Sequence, residues 1–230
     1  MMLNKRDFTL SKERTTTTIN GVKNNLAIRR KTIKRQFVNA RHEKNALEHL
    51  ITLPELSESI HIVIGGQFEP CDLIPAIRRL SHPAIISRLD ISTLGFNHDN
   101  VATIARGIDQ AKIKTANVVC SKYFARLEKA SFEFLKNEIT SRGGRVNWGQ
   151  THAKLILLEM SDGRFFTVDG SANLRSCSSI EQINITQDPE LLLFHRSWLD
   201  ELLTANHEQK KETNKADHIA AKVDAAAGDN

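Results

Sequence analysis

From residue 59 onward, short apolar runs alternate with segments whose apolar residues recur every three or four positions. Apolar runs bounded by turn residues predict buried strands, and the wider spacing predicts amphipathic helices. The predicted strands are 60–64, 84–94, 115–120, 145–148, 152–160, 164–169 and 183–186. The predicted helices are 72–80, 99–110, 123–140, 174–180 and 189–203. The alternation predicts an α/β fold, with a mixed β-sheet flanked by helices.

One pair of strands is predicted to form an antiparallel hairpin, because Ser161-Asp162-Gly163 between 152–160 and 164–169 is a good tight-turn sequence. The hairpin folds its two ends onto the same edge of the sheet. His152 lies ten residues before the turn centre and Asn173 eleven after it, so both are expected at that edge.

Two further polar residues are expected at this edge. Lys154 lies two positions after His152, which on an extended strand gives both side chains the same face. Ser171 arrives beside Asn173, where the 174–180 helix is predicted to begin. Imidazole, ammonium, hydroxyl and carboxamide groups, with helix N-terminal amides nearby, suit an anionic, phosphate-like ligand.

Composition adds a marked asymmetry of charge. The 230 residues include 32 Lys and Arg against 27 Asp and Glu, a formal net charge of +5. Residues 1–45 hold twelve bases and three acids, so they carry +9 and the remainder carries −4. Such a segment can neutralise nucleic-acid phosphates or simply keep a polar leader in solution, and charge alone leaves both open.

The same asymmetry suggests how the chain is organised. Residues 1–57 are expected to form a basic N-terminal arm, poorly ordered through about residue 25 and then helical from Leu26 to about Leu50. Residues 58–206 are expected to form the α/β domain, and residues 207–230 a charged, Ala-rich tail.

Several classes of protein are disfavoured. No apolar run approaches the ~20 residues of a membrane-spanning helix, so no integral membrane association is expected, and no signal peptide is visible. The three cysteines, Cys71, Cys120 and Cys177, lack CxxC spacing, which disfavours a disulfide framework or a zinc ribbon. These features indicate a reducing, cytoplasmic setting.

His152-Ala153-Lys154, followed by Gly170-Ser171-Ala172-Asn173, resembles the HxK…GSxN signature of the phospholipase D superfamily, the HKD motif. In the longer family pattern an Asp stands five residues after the Lys, where this chain has Glu159. Glu159 lies about 23 Å along an extended strand from His152, so it is expected to take no part in the chemistry. His42-Glu43-Lys44 is a second HxK, but no GSxN follows it, and we do not expect it to be catalytic.

The resemblance implies a phospholipase D-like fold and a site built from two HxK motifs. With one credible copy, this chain resembles the short members that complete the site by homodimerisation. In that scheme His152 forms a phosphohistidine, its counterpart in the partner protonates the leaving oxygen, and Lys154, Ser171 and Asn173 hold the phosphate oxygens. Glu181 resembles the downstream acid that orients a histidine; the alternative is a surface carboxylate at a helix end. No metal or cofactor is implied.

The expected function is a metal-independent phosphodiesterase, with nucleic acid favoured as substrate because of the basic residues 1–45. Three alternatives stay open. The chain could be a phospholipid hydrolase or phosphatidyl transferase with the same site, or a catalytically silent nucleic-acid-binding module. The hairpin could also be purely structural, with polar residues that match the motif by chance. Arg88, Asp90 and Ser92 alternate along one strand and are left outside the predicted site. His195, on an amphipathic segment, is expected to be structural.

Overall fold

The computed structural model describes residues 17–19, 22–24, 33–40, 50, 52–65, 69–175 and 178–205. The strands in these ranges are β1 (Thr17–Ile19), β2 (Val22–Asn24), β3 (Lys34–Ala40), β4 (Glu58–Ile64), β5 (Ile86–Thr93), β6 (Ala116–Ser121), β7 (Arg145–Gly149), β8 (Leu155–Met160), β9 (Phe165–Gly170) and β10 (Glu181–Gln187). The helices are α1 (Leu73–Leu80), which follows a 3₁₀ turn at Pro70–Asp72, α2 (His98–Asp109), α3 (Lys122–Leu127), α4 (Lys129–Thr140) and α5 (Pro189–Thr204).

Eight strands form one sheet in the order β3-β4-β10-β9-β8-β5-β6-β7. Strands β5, β6 and β7 run parallel to one another, whereas β8, β9, β10 and β4 join them through antiparallel pairs. The predicted α/β class with a mixed sheet is therefore confirmed. Strands β1 and β2 pair with each other in a separate compact unit, residues 1–34.

The sheet carries a hydrophobic cluster on each face. The larger cluster combines alternate strand residues such as Ile62, Phe166 and Ile183 with buried residues of α1, α2 and α4. The smaller one packs Leu192 and Leu199 of α5 against residues of β6 and β8 on the opposite face. Helices on both faces explain why the central strands are almost continuously apolar.

Helix α5 is also fastened to the sheet by charge. Asp90 on β5 is fully buried and accepts hydrogen bonds from Arg88 Nε at 2.9 Å, Arg196 Nε at 2.9 Å and Asn117 Nδ2 at 2.7 Å. Arg196 on α5 also donates to Glu159 Oε2 on β8 at 2.6 Å. Glu159 thus forms an ion pair at the end of β8 remote from Lys154.

The N-terminal prediction was wrong over part of its length. Residues 34–40, predicted as helix within 26–50, form edge strand β3, while residues 26–32 and 41–49 lie outside the described residues. Apolar Phe37 and Val38 suit a strand here, because Phe37 stacks on His61 of β4 and Val38 packs on the core. The β1–β2 ribbon lies where little order was predicted. The predicted tail, 207–230, is not described.

Two helices also differ from prediction. The predicted helix 123–140 is broken at Glu128, where the backbone leaves the helical region with φ −105° and ψ 51°. Hydrophobic spacing does not reveal this break. The buried residues Phe124, Phe132 and Ile139 lie eight and seven positions apart, which is the spacing of one face of a continuous helix. The predicted helix 174–180 is not found in its described residues, 174–175 and 178–180.

None of the helices in the described ranges has the length and apolar composition needed to cross a bilayer.

The buried charge network makes a stability prediction. Replacing Asp90 by Ala leaves Arg196 and Asn117 without their shared acceptor, which should lower the free energy of unfolding by about 3–5 kcal/mol. The matched change Asp200→Ala removes a carboxylate that is 37% exposed and binds Arg88 and Arg145, so it should cost about 1 kcal/mol or less. Urea unfolding of both variants measures the difference; equal losses would contradict the assigned role of Asp90.

Candidate active site

The β8–β9 hairpin sets the site. Leu155 pairs with Asp169 and Glu159 with Phe165, and the turn between them contains Gly163 at φ 85°. Extending this antiparallel register beyond Leu155 and Asp169 takes 152–154 and 171–173 to the same edge of the sheet. The structure therefore gathers the HxK and GSxN residues at one edge, as the hairpin predicted.

The HxK segment differs in one respect from its prediction as strand. Residues 151–154 are irregular, and β8 begins only at Leu155. The amide of Ala153 donates to Thr151 Oγ1 at 3.1 Å, and its carbonyl accepts from Ser92 Oγ at 3.0 Å. The amide and carbonyl of Ala153 are therefore hydrogen-bonded to side chains rather than to a neighbouring strand. For this reason β8 begins later than the apolar pattern predicts.

His152 and Lys154 are in direct contact. The Lys154 ammonium donates to His152 Nδ1 at 2.9 Å and to the His152 carbonyl at 3.2 Å. A charged ammonium has no acceptor, so Nδ1 is the acceptor and a neutral imidazole in this arrangement carries its proton on Nε2. The His152 ring is exposed, and its Nε2 atom lies on the side of the ring away from Lys154.

Lys154 lines a cavity together with Asn173 and Asp169. Burial lowers the pKa of the Lys154 ammonium below its ordinary value, and the nearby Glu181 carboxylate acts in the opposite direction. A partly desolvated ammonium interacts more strongly with an anion than one in open water does. The cavity itself holds only about 10 Å³, enough for one water molecule, so an anion would contact the Lys154 ammonium at the cavity mouth.

Gly170 and Ser171 have separate structural reasons for their positions. A Cβ on Gly170 would collide with the carbonyl oxygen of Gln182 on β10, so only glycine allows this approach. The Ser171 hydroxyl accepts from the Gln182 amide at 3.1 Å and donates to a carboxylate oxygen of Glu181. Ser171 can donate to another anion only by leaving Glu181.

Asn173 is held by the loop after β5. Its Oδ1 accepts from the Leu94 amide at 3.1 Å, which fixes the carboxamide and leaves its NH₂ group as the donor for a ligand. The predicted helix amides are not available at this point, because Leu174 and Arg175 are not helical. The described donors at this point are therefore the side chains of Lys154 and Asn173 rather than the first turn of a helix.

Glu181 begins β10 rather than ending a helix, since it pairs with Ile64 of β4. Its contacts described above are with Ser171 and, through space, with Lys154. A role in orienting a histidine stays a prediction. The five predicted residues nevertheless come from the same end of β8, β9 and β10.

Sequence reasoning missed a positioning residue and an acid. Ser92, left outside the predicted site, holds the Ala153 carbonyl between His152 and Lys154. The alternation of Arg88, Asp90 and Ser92 along β5 is the signal that could have identified it.

Asp169 is the missed acid, and it lies among polar groups from three other elements. Burial raises the pKa of its carboxyl above the ordinary value, although Asn184 donates to it at 3.3 Å. Positive charge on His195 of α5 or on His61 of β4 acts in the opposite direction to burial and lowers the pKa of the same carboxyl. His195 is half-buried and accepts from Trp198 Nε1 at 3.3 Å, as befits its predicted structural role.

Other chemistry finds little support in the described residues. No group of three or more His, Cys, Asp or Glu within them could hold a metal ion. Cys71 and Cys120 are buried and unpaired, and burial raises the pKa of Cys120 to about 12, far from that of a reactive thiolate. Cys177 lies outside the described residues.

No protein-family model matches the sequence, and no curated protein matches it significantly. Among solved structures, Nuc from Salmonella typhimurium, a phospholipase D family member, matches with TM-score 0.41 and 13% identity over 51% of this chain and 78% of its own.

Two other solved structures have similar scores. Phosphatidylserine synthase from Haemophilus influenzae has TM-score 0.41 and 15% identity over 71% of this chain and 46% of its own. TrmBL2, an archaeal chromatin protein, has TM-score 0.40 and 10% identity over 61% and 50%. The neighbours include one described as a member of the family that the motif resembles, but none assigns a substrate to this chain.

The Ser92 hydrogen bond can be tested without an activity assay. Replacing Ser92 by Ala should speed amide hydrogen exchange in residues 151–155 and lower the free energy of unfolding by about 1 kcal/mol, because the part-buried contacts with the Ala153 carbonyl and the Thr151 hydroxyl are lost. Ser197→Ala, which removes a hydroxyl that donates to the Phe194 carbonyl on exposed α5, serves as the control. Unchanged exchange at 151–155 in Ser92→Ala would refute the positioning role.

Proposed function

We propose that this chain is a metal-independent phosphodiesterase that acts on nucleic acid through a phosphohistidine intermediate. The observation that carries the proposal is the placement of Lys154, which contacts His152 on one side and lines a cavity with Asn173 on the other. A phosphate bound at the mouth of that cavity would lie beside a histidine nucleophile and near the Lys154 and Asn173 donors.

The reaction proceeds in two displacements. Nε2 of His152 attacks phosphorus to form a P–N bond, the P–O bond to the leaving group breaks, and His152 of the partner subunit protonates the departing oxygen. Water then attacks phosphorus, the P–N bond breaks, and the partner's His152 accepts the proton of the water. Lys154 and Asn173 offset the charge on the non-bridging oxygens in both steps.

This chemistry requires a change from the resting arrangement. Nε2 can attack only when it carries a lone pair, yet the Lys154 hydrogen bond to Nδ1 places the proton of a neutral ring on Nε2. We infer that an incoming phosphate draws the Lys154 ammonium away from Nδ1. The ring proton can then move from Nε2 to Nδ1 through solvent, which leaves the lone pair on Nε2. Substrate binding would thereby activate its own nucleophile.

A second copy of the chain supplies the acid in this scheme. The described residues bring one HxK segment to the site, and the two displacements need two histidines on opposite sides of phosphorus. A two-fold axis through the cavity mouth would bring the exposed His152 rings of two copies together. The proposed enzyme is therefore a homodimer with one shared site.

Nucleic acid is proposed as substrate because of the basic residues near the N-terminus. Residues 1–32 alone hold eight bases and two acids, and neutralising several phosphates adds salt-sensitive affinity for a polyanion. A phospholipid substrate shares the phosphodiester chemistry, so the assay below includes it as a distinct outcome.

Wild-type protein and His152→Ala should be incubated with plasmid DNA, RNA and phospholipid vesicles in the presence of EDTA. We expect the wild type to cleave nucleic acid and the variant to lose at least about 10³-fold in rate, because the nucleophile is gone. With a ³²P-labelled substrate and an alkaline denaturing quench, which preserves the P–N bond, label retained on the wild type and absent from the variant would identify the covalent intermediate.

His82→Ala, on a loop remote from the motif, is the matched control and should retain full activity. Cleavage abolished by EDTA would refute metal independence. Binding of DNA without cleavage would indicate a silent binding module, and release of headgroup alone would indicate a lipid enzyme. A strictly monomeric mass by light scattering in an active preparation would rule out the shared site.

Removal of residues 1–32 tests the nucleic-acid contact while keeping β3, which belongs to the sheet. The truncated protein should bind DNA more weakly, and the slope of log K against log salt should become shallower by several units. Turnover of a small model phosphodiester should stay unchanged, since the site lies elsewhere. Unaltered DNA affinity and salt slope would remove the main support for a nucleic-acid substrate.

A further inference from the structure

A second cavity lies between α1, α2 and the start of β5. Its volume is about 240 Å³, and its floor is apolar. The residues that matter are Ile74, Ile86 and Ile113 of the floor and Arg78, Arg79 and Lys112 of the rim. A mainly apolar pocket with a few convergent polar groups is the usual form of a small-ligand site.

The rim is cationic and has unused donor capacity. Arg78 Nε is buried and has no hydrogen-bond partner in the described part of the chain. Neither Arg78 nor Lys112 forms an ion pair there, whereas Arg142 binds Asp109, the acid at the end of α2. Lys112 donates one hydrogen bond to Gln110 Oε1 at 2.6 Å and has two further N–H donors, so the charges of Arg78 and Lys112 are available to an anion.

This cavity is separate from the HxK site. Ile86 begins β5, whereas Ser92, beside the HxK segment, lies six residues further along the strand. An extended strand rises about 3.3 Å per residue, which separates the two by about 20 Å. A ligand here cannot touch His152, so the cavity does not depend on the proposed phosphodiesterase activity.

We propose that the cavity between α1 and α2 binds a small phosphate monoester with an apolar or planar body, of the size of a nucleoside monophosphate. Guanidinium and ammonium groups recognise phosphate oxygens through charge-assisted hydrogen bonds, and Arg78 and Lys112 supply one of each at the rim. The isoleucine floor provides contact for the uncharged body. Inorganic phosphate would leave the floor empty and a nucleoside would leave the rim unused, so both bind more weakly than the monoester.

Isothermal titration calorimetry with AMP, inorganic phosphate and adenosine tests this proposal on the full chain. We expect AMP to bind one site per chain and more tightly than either fragment. Arg78→Gln and Lys112→Gln should each weaken AMP about tenfold, because each removes a charged partner of the phosphate. Lys112 is exposed, so its substitution should not disturb folding even if that of Arg78 does.

Two controls locate the binding. Lys114→Gln removes a neighbouring exposed charge that does not line the cavity and should leave AMP affinity within twofold. Lys154→Gln should remove any AMP bound at the proposed HxK site and leave the affinity of the cavity between α1 and α2 unchanged, since the HxK cavity is distant. The proposal is overturned if AMP does not bind, if Lys154→Gln abolishes binding, or if Lys112→Gln and Lys114→Gln weaken it equally.

Discussion

The antiparallel register of β8 with β9 is the constraint on which the candidate site depends. Pairing of Leu155 with Asp169 places the residues before one strand and after the other at a single edge of the sheet. A slip of one residue would turn Leu157 and Phe166 out of their opposite cores, so burial on both faces holds the register. The packing of the sheet thus fixes the relative positions of groups from distant parts of the sequence.

Side-chain hydrogen bonds at the ends of the strands, outside the regular pairing of the sheet, complete the site. Ser92 and Thr151 take the backbone groups of Ala153 out of the ladder and bring Lys154 against His152. On β9, glycine at 170 permits the close approach to β10 that joins Ser171 to Glu181. Local interruptions of the sheet therefore position the polar groups, while its regular part supplies rigidity.

The sequence was informative where burial alone decides structure. Strand β4 and helices α2 and α5 follow from apolar spacing, and the turn at Gly163 follows from residue type. Edge strand β3 was missed because Phe37 gains its contact from His61, which is remote in sequence. The role of Ser92 was missed for the same reason, since its partner is 61 residues away. Tertiary hydrogen bonds leave no periodic signal.

Net charge is a poor guide to where an anion would bind in this chain. The α/β domain carries more acids than bases, but many of its carboxylates are paired with arginines, as Asp90 is with Arg196 and Asp109 with Arg142. Lys154 is different because its cation is partly desolvated at a cavity and its hydrogen-bond partners are the ring and the carbonyl of His152 rather than a carboxylate. A partly desolvated cation, even with the Glu181 carboxylate acting on it through space, attracts an anion at short range more strongly than the average charge of the domain repels it. Local desolvation, rather than the sum of charges, is therefore the property that favours phosphate at this edge of the sheet.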